Sequence, residues 1–193
     1  MALFRNKFRI ESSRLPGWDY SNPGYYFITV CTKNRVHLFG EIQSVPIGPV
    51  ETGLRPVSTY VKSSKGNKAL YYPMVLNEFG EIVLRCWNDL PNYYPNTALD
   101  EFVIMPNHIH GIIHIIERGK NNLSDIVRSL KSFSARRINE QFRSENASRT
   151  VPTVWQGRFY DHIIRDQKEL YNFRNYIQTN PIEWETDDLM HIM

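Results

Sequence analysis

An α+β fold with a mostly antiparallel sheet is what this 193-residue sequence predicts. Three observations point to it. Short β-branched and aromatic runs recur at wide intervals, the first being Tyr25 to Thr32, YYFITVCT. Stretches with three- and four-residue apolar spacing lie among them, most regularly from Leu123 to about Arg143. The most apolar region, Thr97 to Ile116, is broken near Pro106-Asn107 and reads as a strand pair.

Taken in order, Arg5 to Pro23 is mixed and turn-rich, with Leu15-Pro16-Gly17 and Asn22-Pro23-Gly24 as turn signals. Tyr25 to Thr32 is a strand that Arg35 to Phe39 either continues or answers with a partner, closed by Gly40. Glu41 to Tyr72 holds Pro46, Gly48, Pro49, Gly53, Pro56 and a Ser-Ser-Lys-Gly-Asn-Lys run without periodicity. A structureless stretch of that length is unusual inside a domain, so it reads as a loop insertion at about 43–74. Asn77 to Leu90 has helical spacing at Ile82, Leu84, Trp87 and Leu90, with Pro91 ending it. In the helix from Leu123, Ile126, Val127 and Leu130 share its apolar face and Arg128 and Lys131 lie off it. Thr153 to Arg165 alternates like a strand. Asp166, with Glu169 three residues on, caps a last helix that Pro181 should end near Asn180. The acidic tail after Trp184 is expected to be peripheral.

Hydrophobic residues are 41% and charged residues 22% of the chain, the balance of a soluble protein and not of a disordered one. The length suits a single domain over residues 1–193. Cys31 and Cys86 are too few for a disulfide framework and sit in apolar runs, which favours buried free thiols. No signal peptide or membrane-length apolar stretch is visible, so the expected location is cytoplasmic, and nucleoid-associated if the partner is DNA. A net charge of +3 is compatible with a polyanion partner without establishing one.

The most informative segment is Met105-Pro-Asn-His108-Ile-His110-Gly-Ile-Ile-His114. Residues two apart in a strand share a face, so His108 and His110 present two imidazoles side by side while Ile109 points into the core. Each neutral ring offers one nitrogen, which suits a shared divalent metal. His114 has the same parity but lies about 13 Å further on, too far to join them. The alternative is a pair of partly buried histidines satisfied by neighbouring carbonyls; two polar rings on one face of an apolar strand otherwise require a reason. A structural zinc site would need further cysteines or histidines in spacing, and none are present.

In the last helix Leu170, Phe173 and Ile177 form a stripe that should face the sheet, with Tyr171 on another face. Tyr176 and Asn180, four apart, lie at its margin, where a phenol and an amide can reach a site on the sheet. A tyrosine can act as a covalent nucleophile. With 11 tyrosines in the chain, spacing alone does not select Tyr176, and Tyr160, beside Arg158, Asp161 and His162, competes with it.

Together these motifs resemble a known family. The His-hydrophobic-His strand, the amphipathic helix after it, Trp155-Gln-Gly-Arg-Phe-Tyr160 and Tyr176-Ile-Gln-Thr-Asn-Pro181 are similar to the one-tyrosine HUH transposases, REP-associated tyrosine transposase branch. Arg14-Leu-Pro-Gly-Trp-Asp-Tyr, Tyr26-Phe-Ile-Thr29 and Leu38-Phe-Gly-Glu41 resemble that branch too; the insertion and the acidic tail do not.

The resemblance implies a ferredoxin-like α+β domain, with helices packed on an antiparallel sheet. It implies His108, His110 and Asn180 as ligands of Mg²⁺ or Mn²⁺ and Tyr176 as nucleophile. The reaction implied is cleavage and rejoining of hairpin-containing single-stranded DNA through a 5′-phosphotyrosine. Arg128, Lys131, Arg136, Arg137 and Arg158 offer phosphate contacts, and Trp155, Phe159 and Tyr160 offer stacking surfaces for unpaired bases. Two other readings compete: a catalytically silent hairpin-binding protein of the same fold, and a phosphohydrolase using water. The second would need carboxylate ligands on the histidine face, where only the distant Asp100 has the right parity. Monomer and homodimer are both compatible with the sequence.

Overall fold

The computed structural model describes residues 3–4, 7–8, 14–46, 70–145 and 153–184. Its elements in chain order are β1 (Gly24–Cys31), β2 (Gly40–Ile42), β3 (Met74–Leu76), α1 (Glu78–Asn88), α2 (Leu90–Tyr93), β4 (Thr97–Met105), β5 (His108–Ile115), α3 (Leu123–Glu145), β6 (Tyr160–Ile164) and α4 (Gln167–Glu183). Four strands make one antiparallel sheet in the order β6-β1-β5-β4, with β2 and β3 as a separate pair. This is the expected α+β class.

The sheet separates two apolar layers. Tyr26, Ile28, Val30, Ile109 and Ile113 point to one face and join Ile82, Val83 and Trp87 of α1 and Leu123, Ile126, Val127 and Leu130 of α3. Phe27, Val103, Met105 and Ile112 point to the other, where α4 supplies Leu170 and Ile177. Each fully buried aliphatic side chain of this kind contributes about 1.5–3 kcal/mol. Strand alternation therefore sends Ile109 into the large core and leaves its neighbours His108 and His110 under α4.

Register completes the layout. Cys31 pairs with His108, Thr29 with His110, Phe27 with Ile112 and Tyr25 with His114. On the other side of β1, Tyr160 pairs with Thr29 and His162 with Phe27. Opposed residues of an antiparallel sheet share a face, so all of these flank α4. On the far face Gly111 lies under Trp87, where an added Cβ would come 2.4 Å from the ring atom Cη2. Trp87 stacks on Phe102 with centroids 4.2 Å apart.

Several boundaries differ from the sequence reading. The predicted strand 153–165 reduces to β6: its ladder with β1 ends at the pairing of Tyr160 with Thr29, and the segment before it meets the chain beyond β1 in one isolated bridge, Trp155 with Thr32. That bridge consists of Lys33 N donating to the Val154 carbonyl at 2.8 Å and Gln156 N donating to the Cys31 carbonyl at 3.0 Å. Arg35 to Phe39 is not a strand. Lys33–Arg35 is a 3₁₀ turn, with Asn34 and Arg35 at φ 54° and 52°. Pro91 does not end α1, which stops at Asn88. It sits in the first turn of α2, where a missing N–H costs no hydrogen bond.

Pro181 likewise does not stop α4, which runs to Glu183. Placed in the final turn, it removes a single backbone donor. The helix start matches expectation: Asp166 Oδ1 accepts from Glu169 N at 2.8 Å. The reciprocal bond goes to Arg165 N, not to the cap residue itself. Cys31 and Cys86 are not joined in a disulfide; Cys86 is buried and Cys31 only half-buried at the site face.

The rim of the expected insertion is paired, β2 with β3 and Val45–Pro46 with Leu70–Tyr71. Residues 47–69 and the acidic tail lie outside the described residues. Among the described residues no helix is long and apolar enough to cross a membrane.

Candidate metal and tyrosine site

His108 and His110 converge: their Nε2 atoms lie 3.0 Å apart. Both residues are buried. The other nitrogen of each ring is already engaged. His108 Nδ1 lies 2.7 Å from Asn107 Oδ1, and His110 Nδ1 lies 2.9 Å from Thr29 Oγ1.

The Asn107 amide is oriented by its own donor, since Nδ2 donates to the Arg35 carbonyl at 3.3 Å. Its Oδ1 therefore faces His108 and can only accept, so His108 Nδ1 carries the proton and donates. The lone pair is left on His108 Nε2. On His110, the Thr29 hydroxyl can accept from Nδ1 or donate to it, so the ring can hold its proton on either nitrogen. Burial pushes the His108 imidazole down to about 3, against the Asn180 carboxamide, whose oxygen would accept only from a protonated ring. Burial also holds His110 well below the usual range, helped by the neighbouring His108. Both rings are neutral at pH 7.

Helix α4 brings two further groups. Tyr176 Oη is 3.3 Å from His110 Nε2, its ring 37% exposed. Asn180, one turn on, is 1% exposed, and its Oδ1 has no hydrogen-bond partner. An unsatisfied buried amide oxygen beside two facing imidazole nitrogens costs stability unless something is shared among them. A divalent cation fits this donor set, which is two neutral nitrogens and an amide oxygen. Among the described residues there is no cluster of three His, Cys, Asp or Glu, so the set lacks the thiolates and carboxylates of a structural zinc site.

Beside the pair lies a cavity of about 770 Å³ that reaches Phe27, Thr29, His110, Tyr160 and Tyr176. Phe27 is its floor, stacked on Phe173 at 4.5 Å and on His110 at 5.4 Å. Arg158 and Phe159 are on its wall.

The structure thus brings together His108, His110, Tyr176 and Asn180, with Tyr160 and Arg158 across the cavity. His114 stays apart, stacked on Tyr25 at 4.0 Å. Trp155 requires a correction as a stacking surface for bases. It is 5% exposed and buried in the far core, its Nε1 donating to Ser134 Oγ at 3.0 Å.

The basic residues of α3 do not join the site, because that helix packs on the opposite face of the sheet. Lys131 Nζ donates to the Gln156 and Gly157 carbonyls at 2.6 and 3.1 Å. Arg137 donates to Cys86 Sγ at 3.2 Å and lies 3.6 Å from Asp89. Arg128 pairs with Asp125, and Arg136 with Glu140. Sequence reasoning missed Asn107 and Thr29 as orienting partners. Thr29 had the correct parity in its strand, but its partner was fixed only by the register between β1 and β5.

Residues 94–180 match the family described as Transposase IS200 like, a span that contains His108, His110, Tyr176 and Asn180. A Haemophilus influenzae protein described as uncharacterized is 37% identical over 192 residues, 93% of this chain and 92% of its own length. A putative REP-associated tyrosine transposase from the same organism is 34% identical over 116 residues, 58% of this chain and 62% of its own. Among solved structures, a REP-associated tyrosine transposase bound to a REP hairpin aligns with a TM-score of 0.50 and 18% identity. That alignment covers 91% of this chain and 74% of the other, and the likeness is one of fold.

Proposed function

The chain belongs to the IS200-like transposase family, and from that premise we propose that it nicks and rejoins hairpin-bearing single-stranded DNA, with Tyr176 as nucleophile. The observation that supports this most is the 3.3 Å approach of Tyr176 Oη to His110 Nε2 beside the His108 nitrogen and the unpartnered Asn180 Oδ1. DNA as partner follows from the family, and the hairpin from the relative solved on one.

His108, His110 and Asn180 would hold Mg²⁺ or Mn²⁺, which when bound offsets charge on a phosphate oxygen and helps orient the phosphorus. The rest belongs to the chain. Tyr176 Oη attacks the phosphorus, the P–O3′ bond breaks, and the departing 3′-oxygen takes a proton and becomes a hydroxyl. The phenol proton passes to water at the exposed side of the ring. One phosphodiester is exchanged for another, so rejoining needs no nucleotide: a 3′-hydroxyl attacks the phosphotyrosine and Tyr176 leaves. The buried histidine side of the site keeps water from competing with that hydroxyl. Arg158, on the cavity wall, would contact a phosphate at the site, and the exposed Arg128 and Arg136 would contact DNA only beyond it.

The test is incubation with labelled single-stranded hairpin DNA and Mn²⁺, followed by denaturing electrophoresis. A covalent adduct is expected from the native chain and from Tyr160→Phe, and none from Tyr176→Phe. Adduct lost only in Tyr160→Phe would move the nucleophile to β6. DNA binding without any adduct would leave a silent hairpin binder.

A further inference from the structure

We propose that the cavity beside Tyr176 receives one unpaired nucleobase of the strand being cut, so that the site reads a base next to the scissile phosphate. The inference rests on the function proposed above and adds a binding subsite to it.

Its walls suit a flat aromatic ligand. Tyr176 and Tyr160 stand edge-on to the Phe27 floor at 71° and 68°, with centroids 5.9 and 6.4 Å from it. They are 37% and 48% exposed, while Phe27 is 3% exposed. Two partly solvent-facing rings over a buried ring line the cavity with aromatic surface, and a base stacks on such surface whatever its identity. Discrimination needs polar groups as well, and Gln156 and Asn172 on the rim supply amide donors and acceptors.

Size and position narrow the occupant. A volume of about 770 Å³ lies within the usual range of small-ligand pockets, which admits a nucleoside and excludes a duplex. Tyr176 is both a wall of the cavity and the group that would bond the phosphate. A base entering it therefore belongs to a nucleotide adjoining the cut. Taking that base out of its stack costs least in a strand already single.

The experiment measures binding of the full-length chain to hairpin oligonucleotides in EDTA, with an abasic site placed in turn at each unpaired position. One position should stand out, its abasic form binding roughly 5- to 100-fold more weakly. Tyr160→Ala should erase that penalty while binding the abasic oligonucleotide as the native chain does. Asn172→Trp, which fills the cavity from the exposed side of α4, should behave alike, with circular dichroism confirming its fold. Equal penalties at every position, or a penalty unchanged in both variants, would overturn the proposal. The adduct assay separates the two ideas. Adduct without a sensitive position removes the base pocket and leaves the nickase; a sensitive position without adduct does the reverse. No binding to any oligonucleotide overturns both.

Discussion

The guanidinium of Arg174 grips the carboxylate of Asp100 with two hydrogen bonds, Nε to Oδ1 at 2.7 Å and Nη2 to Oδ2 at 2.5 Å. Arg174 is two residues before Tyr176, and Asp100 lies at the bulge of edge strand β4. A two-point contact fixes rotation as well as distance, so the pair sets how α4 presents its phenol. Gln178 adds a bond to Glu101 at 3.0 Å.

Breaking that clamp should cost little stability and much more catalysis. The pair is partly exposed, so Arg174→Ala should lower stability by about 1 kcal/mol. Adduct formation should fall at least tenfold, since a small misplacement of a reacting group is expensive. Hydrogen bonding to Arg174 holds the Asp100 carboxyl below its ordinary value. A lowered folded pKa stabilises above the unfolded value of about 3.9 and is lost as pH falls below it. Thermal melts of the native chain and Asp100→Asn should therefore differ at pH 7 and draw together as pH falls from the unfolded value through the lower folded one; parallel curves would remove Asp100 from the account.

Asn107 should tune metal affinity without touching the metal. Its Oδ1 selects the His108 tautomer with a bare Nε2, and partners of this kind are commonly worth 10- to 100-fold in affinity. Asn107→Ala should weaken Mn²⁺ binding by about that factor in calorimetry, and Asn107→Asp, which keeps an acceptor, should recover most of it. Native affinity in the alanine variant would reject the tautomer role.

Asn180 is predicted to trade stability for function. Its Oδ1 is buried and unpartnered, a cost of about 1–3 kcal/mol. Asn180→Leu should leave the metal-free protein as stable as the native chain or about 1 kcal/mol more so. The same variant should lose Mn²⁺ binding and adduct together. A large drop in melting temperature without added metal would mean that the amide serves the fold instead.

Gly111 offers a control on the far face of the same strand. A Cβ there meets Trp87 ring atoms at 2.4 and 2.9 Å, and Trp87 is held against Phe102. Gly111→Ala should destabilise by about 1–3 kcal/mol, while the adduct still forms at low temperature. Loss of adduct in well-folded Gly111→Ala would couple the two faces of the sheet.

How much was legible follows from the range of each signal. Strand parity is local, so it put His108 and His110 on one face and Ile109 in the core without knowledge of any partner. The stripe of Leu170, Phe173 and Ile177 oriented α4, and with it Tyr176 and Asn180. What failed depended on distant chain. Thr153 to Arg165 alternates like a strand, but its ladder with β1 runs only from Tyr160 to Ile164, with a single bridge from Trp155 to Thr32 before it. Charge on α3 was visible, whereas its side of the sheet was not. Trp155 resembled a stacking surface and proved to be core, because a Trp in sequence carries no mark of which way its segment turns. Asn107 and Thr29 matter through pairings 72 and 81 residues away in the chain, beyond any window of pattern.

The placement of β5 between β1 and β4, with both of its faces covered, divides the site into parts of unequal permanence. Central strands of this kind exchange their amide protons only when the whole domain opens, whereas a helix packed over one face of the sheet can lift at lower cost. A fluctuation that frees α4 would carry Tyr176 and Asn180 away together and leave the two imidazoles in register. The protein can thus be intact yet momentarily disarmed, and the burial of Leu170 and Ile177 sets how often, with the bond between Arg174 and Asp100 adding to it.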